Sequence, residues 1–434
     1  MFKGVLILVL FLVIAGLMIS KKMPTLIALP LLAIGISVIS GVPFIATDAD
    51  GNNIGWIHSV IEAGSTRMAS AYIAVIFGAW LGQMMNKSGV TENLIKKAAE
   101  LGGDRPLVIT IVLSIVVALL FTTLAGLGSI IMVGTIVLPI MVSIGIPALS
   151  AVSIFLMAFA TGLSFNIANW QTYSSIFSVE VQQIKSFSIY LMIATTIATL
   201  VLIIREFKIN GIKLSFSNQL NNELNNKNEL KGLRGFLAMI TPIIPIILVV
   251  FLKFPIVPSF MVGIIWIAIA TFKNWNKTMG ILTKSCYDGI SDAAPAVILM
   301  VGIGMLYLSV TNPIVMDVLN PLMSVVTPKT RIMFILFFIV FAPLALYRGP
   351  LNLFGLGSGI AALMISLGVL PTLAVMGAFL SVERIQAVGD PTNTQNVWCA
   401  NFVGVEVNTI TKKLLPYLWA LTTIGVLISA FRYF

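Results

Sequence analysis

The sequence is short of charge, histidine and cysteine, and each shortage excludes a class of protein or site. Charged residues make up 10% of the 434 residues and hydrophobic residues 58%, whereas roughly 25% of a soluble domain is charged. So little polar surface cannot cover so large an apolar content, which excludes a soluble globular protein. A single histidine, His58, excludes a multi-histidine metal site, and Cys286 and Cys399 match no metal or disulfide spacing.

Hydrophobic runs, by contrast, fill most of the chain. A membrane-spanning helix needs about 20 predominantly apolar residues. Runs of about this length cover residues 4–20, 24–41, 68–86, 187–204, 234–252, 256–272, 292–310 and 414–431. The first run has no cleavage site before Lys21, so it predicts a retained span rather than a signal peptide. The sequence therefore predicts an all-α polytopic membrane protein in a lipid bilayer.

The two halves of the chain resemble each other at a spacing of about 224 residues. Gly78 recurs as Gly302, and Pro147 recurs as Pro371. Two polar stretches recur as well, residues 169–171 as 393–395 and residues 179–181 as 405–407. Internal repeats with interrupted spans are typical of secondary transporters. We therefore predict an N-terminal repeat over 1–208, a linker over 209–232 and a C-terminal repeat over 233–434.

Each repeat is predicted to contain a re-entrant hairpin followed by a broken helix. The hairpins cover 106–146 and 330–369, and the broken helices cover 148–184 and 371–410. Gly, Ser, Arg and Asn at the hairpin tips belong where backbone lines a cavity inside the protein. Two full spans in place of each hairpin fit the hydropathy and the charge equally well. With hairpins, each repeat has about five crossings, and this odd number makes the two repeats inverted.

Lysine and arginine indicate which side of the membrane each loop faces. The loops around 21–22, 87–105, 205–234, 273–284 and 412–413 hold most of the 26 Lys and Arg residues. Positive loops face the cytoplasm. We therefore predict a cytoplasmic linker at 209–232, external termini and a multi-pass location in a bacterial inner membrane. No basic stripe is interleaved with exposed aromatic residues, so no nucleic-acid partner is predicted.

The two polar breaks, predicted as unwound stretches over 166–172 and 389–395, are candidate sites for a coupling ion. Breaking a membrane helix frees backbone groups that must meet protein, water or a ligand. Neutral oxygen ligands and a carboxylate beside such a break suit Na⁺ or H⁺, although hydrogen bonding between helices is the alternative role. The residues predicted to serve the coupling ion are Asn166, Asn169, Glu383, Asp390, Thr392, Asn393 and Thr394.

The hairpin tips are candidate sites for an anionic substrate. Free backbone N–H groups after Gly126 favour a carboxylate, and the Arg348 guanidinium offers a charged fork for one. The alternative places Arg348 near the interface, with its side chain reaching the lipid headgroups. The residues predicted to contact the substrate are Gly128, Ser129, Asn169, Gln171, Thr172, Arg348, Asn352 and Gln395.

Glu383 and Arg384 are adjacent within an apolar run. Successive residues of a helix point about 100° apart, so we predict that the two side chains have separate partners. Arg384 would hold Asp390 or Glu406, and Glu383 would be a protonatable coupling site. A structural ion-pair network explains the two residues equally well.

Several short motifs resemble those of the ion transporter superfamily. They are Gly-Ala-Trp-Leu-Gly at 78–82, Ser-Gly at 88–89, Arg-Pro at 105–106, the tip at 126–129, Leu-Pro-Ile at 138–140 and the run 396–406. Within the superfamily, the chain is most similar to the gluconate permease and citrate–proton symporter families. The resemblance implies organic-anion symport with Na⁺ or H⁺ by an elevator-type motion in a homodimer. The tips lack the Ser-Asn-Thr motif of related dicarboxylate carriers, whose nearest version here is Thr392-Asn393-Thr394.

These features predict a secondary active transporter that imports a small organic carboxylate, gluconate- or citrate-like, by symport. No Ser/His/acid set and no phosphate-binding loop is visible in the sequence, so neither an enzyme nor an ATP-driven pump is predicted. No cofactor is expected beyond the coupling ion. The alternative is a Na⁺/H⁺ antiporter of the same superfamily, in which Asp390 and Glu383 exchange cations. A passive channel or scaffold would not need two matched breaks.

Overall fold

The computed structural model of the chain describes residues 2–20, 22–47, 51, 53–212 and 232–434, with the backbone alone at 323–326. These residues are almost entirely helical, and their only β pairing is an isolated bridge between Thr47 and Asn53. The predicted all-α class is therefore confirmed. Most of the predicted linker, residues 213–231, lies outside the described residues.

The N-terminal half begins with two apolar helices and ends with a long one. A π-helical turn over Ile57–Glu62 leads into α3. The helices are α1 (Phe2–Ile19), α2 (Thr25–Ser40), α3 (Ala63–Thr66), α4 (Ala69–Lys87), α5 (Val90–Leu101), α6 (Pro106–Phe121), α7 (Leu127–Ser143), α8 (Ala148–Ser164), α9 (Ile167–Phe177) and α10 (Val181–Ile209).

The C-terminal half repeats this order. Its helices are α11 (Gly232–Met239), α12 (Ile243–Val250), α13 (Ile256–Ala270), α14 (Trp275–Val310), α15 (Pro313–Val326), α16 (Arg331–Val340), α17 (Gly357–Ser366), α18 (Thr372–Gly389), α19 (Thr394–Val403) and α20 (Val407–Tyr433), and a 3₁₀ helix over Ala342–Arg348 follows α16. The series α4–α10 matches α14–α20: a long helix, a short one, a hairpin, a broken pair and a final long helix. Pro147 and Pro371 precede α8 and α18 at equivalent points, where a missing N–H does not disturb the helix.

Five helical segments are long and apolar enough to cross a membrane: Phe2–Ile19, Ile57–Lys87, Val181–Ile209, Trp275–Val310 and Val407–Tyr433. Three further bent pairs are each either a broken span or a re-entrant loop. They are α8 with α9, bent by 60°, α11 with α12, bent by 50°, and α16 with its 3₁₀ helix, bent by 42°. The described residues therefore have the dimensions of a multi-pass membrane protein.

The hairpin arms are short. Hairpin 1 is formed by α6 and α7, of 16 and 17 residues, and hairpin 2 by α16, the 3₁₀ helix and α17, of which α17 has 10 residues. At 1.5 Å per residue these helices are about 24, 26 and 15 Å long, against a hydrocarbon core of about 30 Å. These lengths fit re-entrant hairpins, but α2 and α13, which were predicted as full spans, are equally short at 16 and 15 residues.

Two helices form the centre of the molecule. Almost every side chain of α8 and α18 is buried, in contrast to the one-sided burial of α1 and α10. Helix α8 packs against α6 and α10, whereas α18 packs mainly against α20, and the two central helices contact each other. Each central helix is the first part of a broken pair, so both breaks lie deep in the protein.

Some element limits differ from those predicted. Helix α14 begins at Trp275 instead of 292, because its first turns carry polar residues on an otherwise continuous helix. The first broken pair ends at Phe177 instead of 184, because Ser178 takes a left-handed conformation (φ 54°) that stops α9. The break itself covers only Phe165 and Asn166, so the predicted unwinding over 166–172 was too long.

Candidate functional site

Break 1, between α8 and α9, is joined to the tip of hairpin 1 by Asn166. Its Nδ2 donates to the backbone oxygens of Phe121 and Leu124 at 2.8 and 3.0 Å, and its Oδ1 accepts the N–H of Asn169 at 3.0 Å. Asn166 is 1% exposed. One side chain thus satisfies backbone groups freed by the break and by the hairpin, which buried polar groups require.

The hydroxyl groups predicted to bind substrate in this repeat donate to backbone carbonyls four residues earlier in the chain. The Ser129 hydroxyl donates to the Ala125 carbonyl at 2.9 Å, and the Thr172 hydroxyl donates to the Ala168 carbonyl at 3.3 Å. Both side chains are buried. Neither hydroxyl donor therefore points toward a ligand in this conformation.

The remaining predicted ligands of this repeat lie in different places. Gly128 is half-buried in the first turn of α7, and Asn169 is half-buried in the first turn of α9. Gln171 is directed elsewhere, because its Nε2 donates to the Ser70 hydroxyl on α4 at 3.1 Å. The structure therefore places Asn169 near break 1, Gly128 at the tip of hairpin 1 and Gln171 on the α4 contact.

Break 2, between α18 and α19, is joined to the tip of hairpin 2 by Asp390. Its Oδ2 accepts the backbone N–H of Arg348 at 3.1 Å and a longer bond of 3.5 Å from the Asn352 amide. Its Oδ1 accepts both the N–H and the hydroxyl of Thr392, at 2.8 and 2.7 Å. Asp390 is fully buried, and no cationic side chain among the described residues contacts its carboxylate. A buried, unpaired carboxylate of this kind is suited to a coupling cation.

The carbonyl groups freed at the end of α18 have protein partners. The Asn393 amide donates to the Gln386 carbonyl at 2.6 Å, and the Gln395 amide donates to the Ala387 carbonyl at 3.1 Å. The Thr411 hydroxyl donates to the Gly389 carbonyl at 2.8 Å. These carbonyls do not stand open for a cation, which differs from the expectation for an unwound stretch.

Two amide oxygens beside Asp390 have no hydrogen-bond partner in the described structure. They are Oδ1 of Asn352 and Oδ1 of Asn396, and both side chains are 1% exposed. The Asn396 amide group donates to the Asp390 carbonyl at 2.8 Å, so its oxygen lies close to the break. Leaving such oxygens buried costs about 1–3 kcal/mol each. Thr394, the remaining predicted residue, is exposed at the start of α19.

Arg348 is a cationic residue at the tip of hairpin 2. Its backbone has φ 56° and that of the preceding Tyr347 has φ 55°, a left-handed conformation that is rare outside glycine. Its side chain is half-buried, and its guanidinium has no partner among the described residues. A charged fork held on a strained tip can bind a carboxylate through two parallel hydrogen bonds.

Glu383 and Arg384 form an ion pair with each other, so the prediction of separate partners was wrong. The long, flexible side chains bend together despite their divergent starting directions. Both residues are buried, at 2% and 1% exposure. Arg384 also donates to the Ala160 carbonyl at 3.0 Å and to the Ser164 hydroxyl at 2.9 Å, at the end of α8. The partners of Arg384 at this point are therefore the groups at the negative end of the α8 dipole. They are not Asp390 or Glu406, the partners predicted from the sequence.

The contact between Arg384 and Ala160 relates equivalent positions of the two repeats. Ala160 follows Pro147 at the same distance as Arg384 follows Pro371. The two broken helices therefore contact each other at equivalent positions of the two repeats. Inverted-repeat transporters have their binding sites where the repeats meet.

A polar contact that the sequence did not indicate lies beside the tip of hairpin 1. Asp292 on α14 accepts a hydrogen bond of 2.6 Å from the Gln83 amide on α4. Its carboxyl carbon lies so close to Gly128 that a Cβ there would be 2.9 Å from it. The sequence predicted only that a span begins at residue 292, and it indicated no role for the Asp292 side chain. Its position within α14 brings it to the tip instead.

A second unpredicted feature is Arg67, which precedes α4. Its guanidinium lies 3.6 Å above the Tyr307 ring and donates to the Ser178 hydroxyl at 2.9 Å. Arg67 thereby connects the end of α9 to α14. These partners are neutral and do not compensate its positive charge. Ser70 and Ser178 next to it are exposed.

Comparison with known proteins gives structural matches only. No family model and no curated protein sequence matches the chain. The fold is similar to that of the YdaH transporter of Alcanivorax borkumensis, with a TM-score of 0.61 and 12% identity over 99% of this chain and 97% of that one. It is also similar to MtrF of Neisseria gonorrhoeae, described within a class of antimetabolite efflux pumps, with a TM-score of 0.61 and 12% identity over 95% of each chain.

At 12% identity this similarity establishes the fold alone. The names of the two proteins refer to neither gluconate nor citrate, so the resemblance to those two families gains no support from them. The chain has the fold of these two transporters over nearly its whole length.

Proposed function

We propose that the chain is a secondary active transporter of small organic carboxylates, coupled to a cation. The observation that carries this proposal is the pair of broken helices that cross at the Arg384–Ala160 contact, each fixed to the tip of its own hairpin. A passive scaffold would not need matched breaks, and the shared fold with two transporters supports the same class.

The substrate class follows from the charges of the site. Arg348 presents at the tip of hairpin 2 a guanidinium that no described residue pairs with, and a carboxylate is the anion that matches this fork with two hydrogen bonds. We include Gly128, Asn169 and Asn352 among the substrate contacts. Ser129, Thr172 and Gln171 would join only after their present hydrogen bonds are exchanged.

The coupling cation is assigned to Asp390 and its neighbours. The buried carboxylate and the two unsatisfied amide oxygens of Asn352 and Asn396 offer the hard oxygen ligands that Na⁺ prefers, or a proton acceptor. Binding of cation and anion together favours closure more than either alone, which is the differential free energy that coupling requires. The buried Glu383–Arg384 pair is assigned a structural role in this scheme.

Reconstituted protein in proteoliposomes tests the proposal. Labelled gluconate, citrate and succinate are offered under Na⁺ or proton gradients imposed in each direction, with protein-free vesicles as the control. Accumulation of one anion under an inward gradient establishes symport and import. Accumulation only when the gradient is reversed establishes exchange of the anion for the cation. Under an inward cation gradient this exchange exports the anion, which is the direction given by the description of MtrF as an efflux pump.

The second candidate is a Na⁺/H⁺ antiporter. The carboxylate of Asp390, which is buried and contacts no basic side chain among the described residues, also fits this function. In that case no labelled anion accumulates, and a Na⁺ gradient alkalinises the vesicle lumen. Arg348 favours the carboxylate transporter, because the exchange of Na⁺ for H⁺ does not require a cationic side chain at the tip of hairpin 2.

A further inference from the structure

A cavity of about 360 Å³ lies between the first two helices of the chain and hairpin 2. Helices α1 and α2 form one wall, and α16, the tip of hairpin 2 and α17 form the opposite wall. The end of α14 and part of α15 complete it. Every described residue that lines the cavity is glycine, proline or hydrophobic. None of them is a residue predicted to bind the substrate or the coupling ion, so the cavity is distinct from that site.

The cavity runs along α1 from Gly4 to Phe11, with Ile7 and Leu8 between them. These residues recur at helical spacing, so they form one stripe about 10 Å long. Gly4 lies near the start of α1 and Phe11 near its middle. Because α1 is long and apolar enough to cross a membrane, the stripe extends from one membrane surface toward the midplane. It covers much of one leaflet, whose hydrocarbon layer is about 15 Å deep.

The lining and the narrowness of the cavity restrict what can fill it. A buried water needs about two to four polar partners, and apolar cavities of roughly 150 Å³ stay dry but accept small hydrocarbons. The surrounding helices also touch each other: a Cβ at Gly4 would lie 2.8 Å from Leu322, and a Cβ at Gly359 would lie 2.7 Å from Leu306. Walls in contact leave no room for a further helix, which is about 10 Å across. Because an empty cavity destabilises a protein in proportion to its volume, a thin hydrocarbon chain is the favoured occupant.

A cationic side chain lies at the surface end of the cavity. Lys3 immediately precedes Gly4, is exposed, and donates from its Nζ to the Ser40 carbonyl at 3.0 Å. Ser40 lies one turn beyond Ile36, the last residue of α2 that lines the cavity. An ammonium group carries three donors, so two remain for a phosphate. The surface end therefore has a positive charge at the level where a lipid headgroup lies.

We propose that this cavity binds one acyl chain of a phospholipid from the surrounding bilayer, with the headgroup phosphate at Lys3. The chain fills the space between α1 and hairpin 2 and lies against Pro350 and Leu351, which follow Arg348 at the tip. The bound lipid thereby forms part of the wall beside the tip. The inference is independent of the solute that the protein carries.

Native mass spectrometry of the purified full chain tests this site. The protein is reconstituted in vesicles of phosphatidylethanolamine and phosphatidylglycerol and then extracted with a detergent that removes loosely bound lipid. We expect the wild type to retain one phospholipid, measured as an added mass, because the acyl chain is held inside the protein. Ile7→Phe combined with Ile360→Phe narrows the cavity from both walls, and this filled variant should lose the retained lipid.

Ile193→Phe combined with Ile332→Phe is the matched control, because these isoleucines of α10 and α16 are 50% and 71% exposed. This variant should retain the lipid as the wild type does. Lys3→Ala leaves the cavity open and removes the positive charge at its surface end. Its retention should fall about fivefold, as for the loss of one cation near a charged headgroup.

A wild type that retains no phospholipid, or that retains another apolar compound in its place, overturns the proposal. Unchanged retention in the filled variant also overturns it, because the lipid would then bind elsewhere, and so does an equal loss in the control variant. Thermal unfolding shows whether each variant is folded. If the filled variant is not, Lys3→Ala decides, and wild-type retention by Lys3→Ala contradicts the proposal. Carboxylate uptake is measured separately, so either conclusion can fail while the other stands.

Discussion

Arg348 combines a strained backbone with an unpaired side chain. A residue outside the favoured regions costs of order 1–3 kcal/mol, which the surrounding structure must offset. Here the Asp390 carboxylate contributes by accepting the Arg348 N–H at 3.1 Å. Arg348 itself lies at the tip of hairpin 2, and no described residue neutralises its guanidinium.

We expect Arg348→Ala to lower uptake at limiting substrate by about a hundredfold, because a hydrogen bond to a charged group contributes roughly 1.5–3 kcal/mol. Arg348→Lys keeps the charge but loses the planar fork, so its uptake should lie between that of the wild type and that of Arg348→Ala. Lys329→Ala, an exposed cation before α16, is the control for general loss of charge. Wild-type uptake by Arg348→Ala would remove this residue from the substrate site.

The ion pair of Glu383 and Arg384 is a matter of stability. Removing one partner of a buried pair leaves an uncompensated charge, at about 3–5 kcal/mol. Glu383→Gln should therefore unfold at a clearly lower temperature than the wild type. Replacing both residues, as Glu383→Gln with Arg384→Met, should recover part of this loss, since neither charge then remains buried.

Cys399 provides the measurement. It is fully buried, whereas Cys286 is only half-buried, so a Cys286→Ser background reports unfolding through the reaction of Cys399 with a thiol reagent on heating. A double-mutant cycle gives the pair's coupling energy. Equal unfolding temperatures for the wild type and Glu383→Gln would show that the pair does not stabilise the crossing.

Among the structural elements, the two breaks show what the sequence could reveal. Break 2 was recognisable because Pro391 and Gly389 interrupt an apolar run, and Pro prevents helix continuation. At break 1 the polar residues Asn169, Gln171 and Thr172 suggested unwinding, yet they lie within α9. Asparagine, glutamine and threonine remain helical when their side chains meet partners inside the protein.

The same limit explains why Asp292 was missed. Hydropathy detects the apolar part of α14 but not its polar first turns, which continue the same helix from Trp275. The contacts of Asp292 with Gly128 and of Arg384 with Ala160 join residues far apart in the sequence. Such long-range contacts depend on how the repeats pack, and a single sequence does not specify them locally.

We expect Asp390→Ala to loosen hairpin 2. The Arg348 N–H loses its acceptor, so its exchange with deuterium should accelerate by about fivefold, as for the loss of one hydrogen bond of roughly 1 kcal/mol. Mass spectrometry of the peptides over 342–356 measures this. Glu406→Ala, an exposed acid before α20 whose side chain contacts Asn408, is the control. Unchanged exchange in Asp390→Ala would show that the tip holds its shape without break 2.

For the whole molecule, the predicted sidedness follows from an odd number of crossings in each repeat. A protease site inserted between residues 213 and 231 should be cleaved only from the cytoplasmic side, where the positive loops are predicted to lie. An epitope after Phe434 should be accessible only from outside. Cleavage and epitope access from the same side would contradict the inverted arrangement.

The Arg384–Ala160 contact also bears on how such a molecule can arise. In a dimer of two identical antiparallel chains, an arginine at this position would occur twice, and two guanidinium groups would meet in a buried place where like charges repel. An alanine in both chains would leave the end of each α8-like helix without a donor. One arginine facing one alanine is available only to two halves with different sequences, each free to mutate alone. At its centre, the protein therefore depends on its two copies being different.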